Sequence, residues 1–141
     1  MSCAFATRKY DRKGHSVIIT DEMMPFYSRP LIVDVMTGKK RADDIVLMRD
    51  EEYAGHGIQF MKGTKVNNID VKNRAVITSK GRLRYDRLLI ATGAQPKKIP
   101  LQGKGVFYLR TVKDALDVYG YRKHMNRAIV YGGGPIGIKA A

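Results

Sequence analysis

The chain has 141 residues, about one domain's worth, with 44% hydrophobic and 28% charged residues, a balance that excludes disordered and fibrous classes. No apolar run approaches the roughly 18 to 20 residues of a spanning helix, and "MSCAFATRKYDRK" lacks an apolar signal core, so no membrane span is expected and the cytoplasm is the predicted location. Twenty-six Lys and Arg against thirteen Asp and Glu leave a charge of +13, but the basic residues are scattered through "RKYDRK", "GKKR", "SKGRLR" and "QPKK" without an RNA-binding aromatic signature or a helix-turn-helix pattern, so nucleic acid is not the expected partner.

In chain order, residues from about Cys3 to Tyr10 read as the tail of a helix that "DRKG" ends with a polar turn. "HSVIIT" follows as a short buried strand with Asp21 and Glu22 at its carboxyl end. "GIQFMKG", "TKVNNIDV", "RAVITS", "RLRY" and "RLLIATG" are short β-prone runs separated by turn residues. They predict a small antiparallel meander followed by one buried parallel strand, Arg87 to Ile90. "AQPKKIPLQGKG" is a linker, after which Thr111 and Asp114 form the pattern of a capping box opening the helix "VKDALDVYGYRKHM". "AIVY" is the last predicted strand.

The closing "AIVYGGGPIGIKAA" sets Gly132, Gly134 and Gly137 in a G-x-G-x-x-G pattern after that strand. The first glycine permits a tight turn, the second lets the backbone approach a pyrophosphate, and the third brings a helix close to its sheet, with the phosphates on the positive helix end. The acid expected about 20 residues later to hold a ribose lies beyond Ala141. At the front the defect is reversed. Asp21 stands where such an acid belongs, and the glycines that should precede it by about 20 residues fall at or before Met1.

Six segments in order, "VIITDE", "PFYSRPL", "VNNIDVKNRAVI", "YDRLLIATGAQP", "GVFYLRTVKDALDV" and "AIVYGGGPIGIKAA", make the chain resemble the FAD-dependent pyridine nucleotide-disulfide oxidoreductases from about Cys3 to Ala141. "YSRPL" followed by "TGK" is most similar to the rubredoxin reductase and NADH-nitrite reductase large-subunit branch. Thiol-using relatives carry cysteine where this chain has Ser28 to Leu31, and the single Cys3 forms no C-x-x-C, so no thiol mechanism is expected. Val33 and Asp34 stand where some relatives have Ser-Lys, and Lys139 stands where many have glutamate. Neither position is assigned a cofactor role.

The resemblance implies an α/β fold. It consists of a truncated FAD-binding Rossmann-like domain with an antiparallel meander (1–110), a linker helix (111–127) and the first strand and turn of an NAD(P)-binding Rossmann-like domain (128–141). It implies that Asp21 or Glu22 binds the FAD ribose and that Arg29 meets the pyrophosphate on a turn fixed by Pro30. Val66 would contact the adenine through its backbone, and Ala91, Thr92 and Gly93 would pass beside the cofactor. Gly132, Gly134 and Gly137 would hold NAD(P)H. The implied function is hydride transfer from NAD(P)H to flavin, with electrons passed to an acceptor protein or small molecule. The flavin carries the chemistry, so neither a catalytic side chain nor a metal ligand is expected. On this reading the chain is an internal piece of a longer flavoprotein and is inactive alone. Two other readings stand beside it: a basic protein that binds nucleic acid or another polyanion on a degenerate flavoprotein scaffold, and a nucleotide-binding module without redox chemistry.

Overall fold

The structure is a computed structural model that describes residues 2–101 and 103–141. The chain divides into two compact units, Met1–Phe26 with Leu47–Thr92, and Tyr27–Val46 with Gly93–Ala141.

In the first unit, helix α1 (Ser2–Tyr10) leads into strand β1 (Ser16–Ile19). Arg8 closes the turn between them by donating to the carbonyls of Asp11 at 3.0 Å, Arg12 at 2.9 Å and Gly14. β1 pairs in parallel with β2 (Ile58–Met61), Ser16 opposite Ile58 and Ile19 opposite Met61. The crossover ends in helix α3 (Asp50–Gly55), whose first turn carries Asp50, Glu51 and Glu52, acids that complement the positive helix end. Tyr53 from this helix is 1% exposed. It stacks on Phe60 at 4.3 Å and its hydroxyl accepts the Phe26 N–H at 3.1 Å.

The expected meander is present as β3 (Val66–Asp70), β4 (Ala75–Thr78) and β5 (Gly81–Arg84), in that order and antiparallel. Its β-branched middle strand is the most buried of the three, with Ala75 at 0% and Val76 at 4% exposure. "GIQFMKG", read above with the meander runs, instead supplies β2 of the parallel pair.

The second unit begins with a 3-10 turn at Arg29–Leu31 that runs into helix α2 (Ile32–Met36). Ile32, Val33 and Val35 are buried, and they form the core with Ile45, Val112 and Ala115. Helix α4 (Val112–Tyr121) packs on α2. Thr111 caps α4 as expected: its hydroxyl oxygen accepts the Asp114 N–H at 3.2 Å, while the Asp114 carboxylate accepts the Thr111 N–H at 2.7 Å. α4 stops at Tyr121 and a 3-10 turn covers Arg122–His124. Helix α5 (Pro135–Ala140) follows the glycines.

Two predicted strands do not form. Arg87–Ile90 has no strand assignment, with Leu89 at 65% and Ile90 at 64% exposure, and Ala128–Tyr131 has none, with Ile129 at 96%. A strand needs a neighbour to take up its backbone N–H and C=O groups, and β propensity reports mainly the packing such a neighbour supplies. Among the described residues neither segment is paired with a strand. The architecture is therefore mixed α/β with a parallel pair, a meander and a glycine turn opening a helix, but without the strand expected at Ala128–Tyr131.

Candidate functional site

Each unit carries its own share of the predicted residues. In the first, the ladder continues past β1: the Thr20 N–H donates to the Met61 carbonyl at 3.1 Å and the Thr64 N–H to the Thr20 carbonyl at 2.8 Å. Chain direction is thereby fixed up to the two acids. The Glu22 N–H is held by Thr20 Oγ1 at 3.2 Å, and its carbonyl accepts the Gly63 N–H at 3.1 Å. Asp21 is exposed, and its carboxylate has no partner among the described residues. A carboxylate left in this state has its full accepting capacity for a pair of hydroxyls.

Val66 opens β3, an outer strand of the meander. It pairs with Thr78 just before a register shift and is 41% exposed, so it is not part of the core. Ala91 and Thr92 lie exposed at the end of this unit, outside regular structure.

In the second unit, Arg29 is the first residue of the 3-10 turn, and Pro30 follows with its fixed φ. The guanidinium donates to the Arg110 carbonyl at 2.9 Å and lies 5.3 Å over the Tyr27 ring. Tyr27 is in turn fixed, since its hydroxyl accepts the Val112 N–H at 3.2 Å. Gly93 has φ +67, and a Cβ placed there would lie 3.5 Å from Arg110 Nη2. The structure thus brings Arg29, Gly93 and Arg110 to the entrance of α4. Sequence reasoning passed over Arg110, whose only local signal is its place directly before the capping Thr111.

The terminal glycines form a turn with specific steric demands. Gly132 has φ +133, and a Cβ on Gly137 would fall 1.9 Å from the Gly132 carbonyl oxygen. No side chain fits at Gly137 unless that loop opens. Gly134 is the N-cap of α5, and nothing lies within 4 Å of where its Cβ would be. The backbone there is uncovered, which fits the close approach of a phosphate. Arg29 and Arg110 fit an anionic dinucleotide in the same chemical sense, by presenting planar guanidinium donors.

No helix among the described residues is long and apolar enough to cross a membrane. The profile of the pyridine nucleotide-disulphide oxidoreductases matches residues 1–141. The chain is 38% identical over 129 residues to the assimilatory nitrate reductase electron transfer subunit of Bacillus subtilis, covering 89% of this chain and 17% of that protein. It is 35% identical over 146 residues to putidaredoxin reductase of Pseudomonas putida, covering 98% and 35%. Among solved structures, the covalent putidaredoxin reductase-putidaredoxin complex superimposes with a TM-score of 0.83 at 33% identity, covering 97% of this chain and 35% of that one. The chain therefore spans about a third of these reductases and less of the nitrate reductase subunit. With its motifs in the order described and the match running its whole length, the chain belongs to the pyridine nucleotide-disulphide oxidoreductase family.

Proposed function

We propose that this chain is the cofactor-handling part of an FAD-dependent NAD(P)H oxidoreductase that passes hydride from NAD(P)H to flavin and electrons to an acceptor protein or small molecule. Family membership and the reductase relatives support the class. The observation that carries the reading is the glycine turn, where Gly137 has no room for a Cβ and Gly134 leaves its backbone open. Bound FAD supplies the redox chemistry, and the protein supplies binding and orientation.

In this reading residues 1–110 serve the flavin, 111–127 link, and 128–141 begin the nicotinamide side. Asp21 or Glu22 accepts from the FAD ribose hydroxyls, and Arg29 neutralises the pyrophosphate with Pro30 setting its turn. Val66 meets the adenine through its backbone, and Ala91, Thr92 and Gly93 pass beside the flavin. Gly132, Gly134 and Gly137 hold the nicotinamide dinucleotide. Arg110 joins the flavin group on the strength of its distance from Gly93. The exposed free Cys3 is compatible with a reducing compartment, and the cytoplasm is the proposed location.

The test is a chimera in which residues 1–141 replace the matching stretch of putidaredoxin reductase. The expected protein is yellow and is bleached by NADH or NADPH. A folded but colourless chimera would overturn the reading.

A further inference from the structure

The meander carries a second polar feature at the end opposite Val66. A shallow depression of about 410 Å³, wide open to solvent, lies there, lined by Lys72, Asn73, Arg74, Arg84, Tyr85 and Asp86. β3 runs from Val66 to Asp70, so at about 3.3 Å per residue the depression lies roughly 13 Å or more from the proposed adenine contact. It is therefore separate from the predicted flavin residue on this strand.

Three observations give the depression chemical character. First, Lys72, Arg74 and Arg84 make no side-chain hydrogen bond or ion pair among the described residues, whereas the neighbouring Arg82 is taken up by Asp70 at 3.2 Å. Second, the turn that presents Lys72 and Arg74 is pinned: Asp70 accepts the Asn73 N–H at 2.9 Å and the Asn73 side-chain amide at 2.8 Å, and the Arg74 carbonyl accepts the Tyr85 N–H at 2.9 Å. The cations are thus mounted on a hairpin whose backbone is held by hydrogen bonds. Third, Arg74 is the one non-glycine residue with positive φ among the described residues, at +46. Glycine would avoid the steric cost of that conformation, yet the position holds a long cation lining the depression.

We propose that this depression binds a small molecule bearing a phosphate monoester. Three cations against the single carboxylate of Asp86 leave an excess that a dianion cancels, and a phosphate monoester carries close to two charges at neutral pH. Arg74 and Arg84 offer forked donors that match phosphate oxygens, with Lys72 as a point charge. The lining is polar and open to solvent, which suits a solvated phosphate group rather than an enclosed apolar ligand. Tyr85 is the aromatic member of the lining and the candidate to meet the organic part of the ligand.

The experiment uses the 141-residue chain in phosphate-free buffer, with amide resonances followed by NMR. Phenyl phosphate is the probe, and benzenesulfonate, a monoanion of similar shape, is the control at matched ionic strength. Phenyl phosphate should move the amides of 72–74 and 84–86 saturably, and benzenesulfonate should bind there roughly tenfold more weakly or not at all. Arg74→Gly should weaken phenyl phosphate by roughly tenfold to a hundredfold while Tm stays level or rises, because the strained conformation is relieved. Arg84→Gln is the second variant, expected to lose affinity with the hairpin intact. Absence of saturable shifts at these amides would overturn the proposal. So would equal binding of the two probes, or unchanged affinity in both variants. Displacement at these amides by a short single-stranded oligonucleotide without terminal phosphates, with no response to phenyl phosphate, would replace it with a polyanion surface.

Discussion

Lys139 Nζ lies 2.9 Å from Asp34 Oδ2 and 3.2 Å from the Pro30 carbonyl, tying α5 to the turn that presents Arg29. Lys139, to which the sequence assigned no cofactor role, is here an ion-pair partner. The Asp34 side chain is 16% exposed and that of Lys139 41%, so the pair is half-solvated and worth about 0.5–1 kcal/mol. Lys139→Ala should lower Tm by about 2–4 °C, and Lys139→Glu should lower it further by placing a like charge on Asp34. Thermal unfolding followed by circular dichroism checks this, and an unchanged Tm in both variants would remove the tie.

Arg29→Ala is best read in the chimera with putidaredoxin reductase. A charge-assisted hydrogen bond is worth about 1.5–3 kcal/mol, so flavin affinity should fall about tenfold to a hundredfold. The same substitution frees the Arg110 carbonyl, so a parallel Arg29→Lys variant separates charge from fork geometry. Flavin release titration provides the measurement, and equal affinity in Arg29→Ala would return the residue to the solvated surface.

Gly134→Val places a branched side chain on a backbone that nothing now covers. In the chimera the flavin absorbance should remain while bleaching by NADH or NADPH collapses, because the nicotinamide can no longer be held in reacting geometry. Gly137→Ala should do the same by another route, since its Cβ meets the Gly132 carbonyl oxygen. Normal bleaching in both variants would reduce the terminal glycines to a structural turn.

The hairpin acid Asp70 makes a prediction in pH. The Asn73 side-chain amide, then the Asn73 backbone N–H, and then the Arg82 charge hold its carboxyl below the ordinary 3.8. A carboxyl depressed in the folded state contributes stability above its unfolded value and loses it as pH falls through the folded value. Asp70→Asn should therefore be less stable than the parent at neutral pH, and the gap should close below about pH 3.8. Urea unfolding at a series of pH values checks this, and a gap that persists in acid would assign the effect to packing.

The elements legible in the sequence are those with local causes. Thr111 and Asp114 announced α4 because a cap is made by residues three positions apart, and "HSVIIT" announced β1 because its β-branched run is bounded by turn residues. Leu88–Ile90 and Ile129–Tyr131 carry the same β-prone chemistry but have no strand beside them, and strand formation belongs to the pair rather than the segment. The parallel partnership of β2 was likewise invisible, since nothing in "IQFM" names Ser16–Ile19 as its neighbour. At the candidate site, the glycine motif announced a turn whose steric need the structure supplies at Gly137. Arg110 stayed hidden because one arginine among many basic residues has no pattern until the fold sets it near Gly93.

The pairing register also dictates an order of events in time. Asp70 pairs with Ala75 and Thr78 with Gly81, so the meander closes through short loops, whereas Ser16 must find Ile58 across a long intervening chain. Loop closure costs more entropy as the loop lengthens, and contacts distant in sequence form late. The meander is therefore expected to fold first, with the parallel pair assembling afterwards. In pulse-labelled hydrogen exchange during refolding, the amides of Ala75–Thr78 should gain protection ahead of those of Ile58–Met61, and the reverse order would show that the parallel pair nucleates the first unit.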